Sequence, residues 1–205
     1  MSFRMIIYVI VILFTPTAWS ISNALKHNEV INIVEIANFN CPYCYYAEAV
    51  IQPIKTLIEK AGGKFDFIPL PSLNTSEWPS RVMLSAPSIY QNNIRDSLFT
   101  AMINEGLTLE TVSSTCIYLA LSVSGFTSDE CIHWSQSNIS TVRISKAKFL
   151  LDYCKKFEYS PRLPIFIVVQ NNTILKVLSR PNDNNINKLA ESLLDIIKKA
   201  LNSEI

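Results

Sequence analysis

The stretch from Val34 to Val50, VEIANFNCPYCYYAEAV, decides how the chain is read. It opens inside Val30 to Phe39 (VINIVEIANF), an apolar run rich in β-branched residues and interrupted by Glu35, which is the composition of a buried strand. A helix follows. Asn40 is a residue type that caps helices, and Pro42 suits a first turn, where the N–H that proline lacks is not needed. The helix continues through CPYCYYAEAVIQPIKTLIEKA to Gly62-Gly63, with Pro53 predicting a kink. Lys64 to Leu70 (KFDFIPL) is a second strand, closed by Pro71. The order strand, helix, strand places Cys41 and Cys44 at the first strand-to-helix junction.

That position gives the cysteine pair its chemistry. A helix N-terminus presents unpaired N–H groups and partial positive charge, which favour a thiolate at Cys41 over a thiol. Cys44 falls one turn deeper on the same side, where it can attack a mixed disulfide formed at Cys41. Cys41 is therefore the nucleophile and Cys44 the resolving cysteine. Other uses of the pair fit less well. Zinc needs two further closely spaced ligands, and Cys131-x-His133 is poor spacing for them. Covalent haem attachment needs His directly after the second cysteine, and Tyr45 stands there.

Outward from the pair, the middle of the chain reads as helical. Arg81 to Glu105 carries apolar residues at helical spacing up to Gly106, and Leu109 to Val123 is a second helix that stops at Gly125. Thr127 and Glu130 form a capping-box pattern ahead of a short helix through Trp134, and a longer helix runs from about Ser140 to Phe157. Sheet returns at Pro164 to Val169 (PIFIVV) and Thr173 to Leu178 (TILKVL), joined tightly across Gln170-Asn171-Asn172. Asn184 to Leu201 closes as an amphipathic helix with Leu189, Leu193, Ile196, Ile197 and Ala200 on one face.

The stretch VEIANFNCPYCYYAEAV resembles the active-site region of the DsbA-like branch of the thioredoxin superfamily. On that resemblance, the family's acidic residue on the strand before the first cysteine is Glu35. Its cis-proline loop facing the cysteines is Leu163-Pro164, within YSPRLPIFIVV. The helical block at about 76–157 corresponds to the insertion that distinguishes this branch from plain thioredoxin. The resemblance covers nearly the whole mature chain and implies a thioredoxin-like α/β fold of four or five strands with an inserted helical lobe. It also implies roles. Glu35, buried beneath Cys44 with a raised pKa, relays a proton when Cys44 attacks or leaves. Pro164 turns the backbone of Leu163 towards the sulfurs, where it pairs with a substrate strand. Pro42 and Tyr43 lie on the rim of that groove.

Two positions depart from the family pattern. Strong oxidants of this branch carry His between the cysteines, whereas this chain has Tyr43, and Pro-Tyr also occurs in DsbG-type proteins. Tyrosine brings no positive charge, which predicts less stabilisation of the reduced form and a less oxidising pair. Leu163 replaces the more usual Val or Thr before the proline.

The bulk properties limit the setting. At 205 residues, 49% hydrophobic and 17% charged, the chain can bury one substantial core. A formal charge of +1 gives no reason to expect nucleic acid as a partner. Arg4, the apolar run Met5–Phe14, Pro16 and Ala18-Trp19-Ser20 have the layout of a secretory signal peptide over residues 1–20, with the mature domain at 21–205. The apolar run is shorter than the roughly 20 residues of a membrane-spanning helix. Export into an oxidising space makes the five cysteines disulfide candidates. Cys116 and Cys131 flank the turn near Gly125, where antiparallel helices bring them within bridging reach, leaving Cys154 as a buried apolar residue. His27 and His133 read as solvated side chains.

The expected protein is a periplasmic thiol:disulfide oxidoreductase that introduces disulfides into unfolded or reduced exported proteins. A membrane redox partner would reset it, and it would need no cofactor beyond its own Cys41–Cys44 disulfide. Two other readings stand beside it. One is a reductase or isomerase of DsbG type, although only about ten residues separate Ser20 from the first strand, where isomerases carry a dimerisation domain. The other is a substrate-binding chaperone module without turnover.

Overall fold

The structure, a computed structural model, describes residues 30–71, 76–155 and 162–202. The leader, His27, Phe157 and the side chain of Cys154 lie outside the described residues. Among the described residues, four strands form one mixed sheet: β1 (Ile31–Ala37), β2 (Phe65–Pro69), β3 (Ile165–Gln170) and β4 (Thr173–Ser179), in the order β2-β1-β3-β4. β1 is parallel to β2 and antiparallel to β3, and β4 returns antiparallel on β3. The parallel pair needs a crossover, which α1 (Pro42–Lys60) supplies. At its exit the chain passes so close to β1 that a Cβ at Gly63 would lie 2.1 Å from the carbonyl oxygen of Ile31. Only glycine fits there. The β3–β4 hairpin closes through Asn171 and Asn172, both with positive φ (49° and 62°), as a two-residue turn matching the strand twist requires.

The period of two along the strands divides the core. Ile31, Ile33, Phe166 and Val168 face Ala47, Ile51, Ile54 and Ile58 of α1 and Leu189, Leu193 and Ile197 of α7 (Ile186–Asn202). Ile36, Ile165 and Ile167 face the helical lobe on the other side. Each such buried aliphatic or aromatic side chain contributes about 1.5–3 kcal/mol. Among the described residues, no helix is long and apolar enough to cross a membrane.

The lobe consists of α2 (Trp78–Ser85), α3 (Ser88–Phe99) with a π-helical turn at Thr100–Asn104, α4 (Val112–Ser122), α5 (Ser128–Ser135) and α6 (Asn138–Cys154). It corrects the single helix expected over Arg81 to Glu105. Pro87 lacks a donor N–H and forces Ala86 out of helical geometry (ψ 149°), so two helices form where apolar spacing alone suggested one. The following helix starts at Val112 rather than Leu109, because Thr111 caps it by accepting from the N–H of Ser114. The capping box of Thr127 and Glu130 opens α5, each side chain accepting from the other's backbone N–H. Cys116 on α4 and Cys131 on α5, both fully buried, are joined as a disulfide with a Cα–Cα distance of 5.5 Å.

Candidate active site

The site begins at the turn between β1 and α1. Asn38, nearly fully buried, donates from Nδ2 to the Leu70 carbonyl (2.6 Å) and accepts from the Asn40 N–H at Oδ1 (2.7 Å). Its own carbonyl accepts from the Cys41 N–H at 3.0 Å. This residue fixes the turn to the end of β2 and fixes where Cys41 stands. The cap is not Asn40, as its residue type suggested, but Cys41. Its sulfur accepts from the Cys44 N–H at 3.3 Å, and Pro42 occupies the first helical position. Asn40 does not serve because the Asn38 turn holds it outside the helix, which begins one residue later. Cys41 therefore sits where the helix offers its unpaired N–H groups.

Cys41 and Cys44 are both unbonded thiols here, and their environments differ sharply. Cys41 is partly exposed, and its thiol lies 3.8 Å from the Leu163 carbonyl oxygen. The hydrogen bond it receives from the Cys44 thiol, helped by backbone N–H groups and the positive charge of Arg180, outweighs partial burial and brings its pKa down to about 7. Cys44 has no exposed surface. Burial, with its proton engaged by Cys41, pushes its thiol well up. One sulfur meets solvent and ionises readily, and the other holds its proton inside.

Glu35 lies in the middle of the sheet, paired with Phe67 on β2 and Phe166 on β3, with no exposed surface. Neither carboxyl oxygen has a hydrogen-bond partner among the described residues. Burial first, and then the nearby Glu48, push its carboxyl well above the usual range, while Arg95 and Lys55 pull the other way. Glu35 also interacts electrostatically with both cysteines. Pro164 is buried and follows a cis peptide bond from Leu163, whose carbonyl faces Cys41. Pro42 is exposed and Tyr43 half-buried on the rim. Phe39 belongs to the core, packed on Phe99 at 5.0 Å between ring centres. Tyr46 is exposed, and Tyr45 lies between them, accepting a hydrogen bond from Asn104.

Three features escaped the sequence reading. The first is the Asn38 turn. The second is a buried charge group behind Glu35, in which Arg95 pairs with Glu48 at 3.4 Å and covers the Phe67 ring, while Lys55 donates to Asn92. Helical spacing carried part of that signal, since Glu48 and Lys55 fall on the same face of α1 as Cys44, Ile51 and Ile58. Arg95 comes from the lobe, and nothing local announces it. The third is Arg180, whose guanidinium lies over the Tyr43 ring at 4.0 Å from its centre.

The burial of Glu35 has a measurable consequence. In the folded protein its proton is held to a higher pH than in the unfolded chain, where the ordinary value is near 4.5. Folding therefore takes up a proton above that pH, and stability falls as pH rises through the window between the two values, by at most about 1.4 kcal/mol per pH unit. Glu35→Gln removes this slope. Thermal melts should show the variant gaining on the wild type from pH 5 upwards and matching it at pH 4. An equal difference at every pH would show that Glu35 is not buried as an acid.

No protein-family model and no curated protein matches the sequence. Solved structures do match. The chain resembles a point variant of DsbA from Pseudomonas aeruginosa (TM-score 0.61, 21% identity, 83% of this chain and 86% of that one). It also resembles the oxidoreductase DsbA from Xylella fastidiosa (TM-score 0.62, 15% identity, 86% and 88%). Reduced DsbA1 from Neisseria meningitidis gives a TM-score of 0.61 at 13% identity over 84% and 85%. The sheet, the α1 crossover and the helical lobe are those of the DsbA-like thioredoxin fold.

Proposed function

We propose that the chain is a thiol:disulfide oxidoreductase that passes the Cys41–Cys44 disulfide to exported proteins. The observation that carries this reading is the asymmetry of the two sulfurs. Cys41, with its thiol at about 7, is half ionised near neutrality and partly exposed, while Cys44 is buried and protonated. That is the division of labour between an attacking and a resolving thiol.

In the donor direction, a substrate thiolate attacks the Cys41 sulfur of the oxidised pair. The substrate–Cys41 bond forms, the Cys41–Cys44 bond breaks, and Cys44 leaves as a thiolate that takes a proton from Glu35. A second substrate thiolate then attacks the substrate sulfur of the mixed disulfide, closing the substrate's disulfide and releasing Cys41 as a thiolate stabilised at the N-terminus of α1. Two electrons have passed to the pair, and a membrane redox partner would remove them. The Leu163 carbonyl, 3.8 Å from Cys41, and the rim of Pro42 and Tyr43 provide the surface against which an extended substrate would lie. Export is part of this reading. Its support is the leader-like run in residues 1–20 and the Cys116–Cys131 disulfide, a bond that persists in oxidising spaces such as the periplasm.

A reductase is the second reading, favoured by one observation. A nucleophile at about 7 resembles that of thioredoxin more than that of a strong oxidant, whose thiol lies near 3.5. The reduction potential decides between them. Equilibration with glutathione buffers should give about −200 mV, well above the roughly −300 mV of structural disulfides, so that donation to a folding substrate runs downhill. A value at or below about −250 mV would reverse the direction in favour of the reductase.

A further inference from the structure

Arg180 follows the last residue of β4, 136 positions beyond Cys44 in sequence, yet it closes the redox site. Its backbone N–H donates to the Arg162 carbonyl at 3.1 Å, which ties it to the strand entry next to Leu163. Its guanidinium stacks on the ring of Tyr43, the residue between the two cysteines, at 4.0 Å. Its Nε is buried without a hydrogen-bond partner, and among the described residues no carboxylate pairs with it. A cation held over an aromatic ring and partly desolvated acts on whatever negative charge develops beside it. Here that charge is on Cys41, which is in contact with Leu163 on one side and linked through Pro42 to Tyr43 on the other.

We propose that Arg180 is a positioning residue of the redox site, supplying across the fold the positive charge that the Pro-Tyr dipeptide lacks. Tyr43 serves as its platform: the flat ring orients the guanidinium and keeps it at the mouth of the site. The inference rests on the reading of Cys41 and Cys44 as an exchanging pair, and it names one contributor to the strength of that pair. The field of Arg180 already contributes to lowering the Cys41 thiol.

The test is the Cys41 thiolate titration, followed by absorbance near 240 nm on reduced protein, with the glutathione equilibrium measured in parallel. Arg180→Ala should raise the Cys41 midpoint by about half to one pH unit, which is roughly three- to tenfold less thiolate below the midpoint. Measured near pH 9, above both midpoints, the glutathione equilibrium should shift by the same factor towards the protein disulfide, about 15–30 mV more negative. Arg180→Lys, which keeps the charge, should retain most of the wild-type values. Arg180→Gln gives the neutral comparison should the alanine variant fold poorly. Tyr43→Leu should weaken the effect of Arg180, so that the double variant falls short of the sum of the singles. An unchanged midpoint in both neutral variants would overturn the proposal, as would equal shifts for lysine and alanine, since packing rather than charge would then be responsible. A wild type that does not exchange with glutathione would overturn the oxidoreductase reading, while the thiolate titration would still decide whether Arg180 governs Cys41.

Discussion

Cys44→Ser converts the protein into a trap. With Cys41 intact and no resolving thiol, incubation with oxidised glutathione or a disulfide-bearing peptide accumulates a one-to-one mixed disulfide, visible by intact mass and on non-reducing gels. Cys41→Ser accumulates none, and exchange falls by roughly a thousandfold or more. The difference follows from the two environments. A thiol at about 7 is half thiolate at neutral pH, whereas one at an ordinary 8.5 is only a few per cent ionised. Cys44 is worse placed than an ordinary thiol, because burial raises its pKa and leaves it no exposed surface. It works only on a sulfur already delivered to Cys41. Should Cys41→Ser form adducts at the wild-type rate, Cys44 would be the entry point and the assignment would be reversed.

The second large effect concerns stability rather than chemistry. Cys116 and Cys131 are separated by 15 residues in sequence and bridge α4 to α5. Opening a loop of that size releases unfolded-chain entropy worth about 3 kcal/mol. The double variant Cys116→Ala/Cys131→Ala should therefore melt about 6–12 °C lower in a domain of this size. The Cys41–Cys44 potential should stay where it is, because the bridge lies wholly within the lobe. A loss of stability below about 1 kcal/mol would mean that α4 and α5 are held by packing alone. A shifted potential would mean that the lobe reaches the site more directly, through Phe99, whose ring contacts Phe39 and Tyr45 on either side of Cys41 in the chain.

What could be read from the sequence was local or periodic. The apolar, β-branched runs of the strands, the two asparagines of the hairpin turn and the capping box of Thr127 and Glu130 are each settled by neighbours within a few residues, so their signals survive in one dimension. The placement of Cys41 and Cys44 at a strand-to-helix junction is of the same kind. Pro87 was also local, but apolar residues continue at helical spacing on either side of it and masked the break at Ala86. Other features depend on groups that meet only after folding. Asn38 engages Leu70 across 32 positions and so moves the cap from Asn40 to Cys41. Arg95 arrives from the lobe to face Glu48, and Arg180 returns from the end of the sheet to cover Tyr43. The sequence by itself determined the pair of sulfurs, the strand and helix that carry them, and the sign of the helix field at Cys41. The tertiary structure alone decided which charges surround them, because Coulomb interactions depend on distance through space and burial, and neither is written in the spacing of residues along the chain.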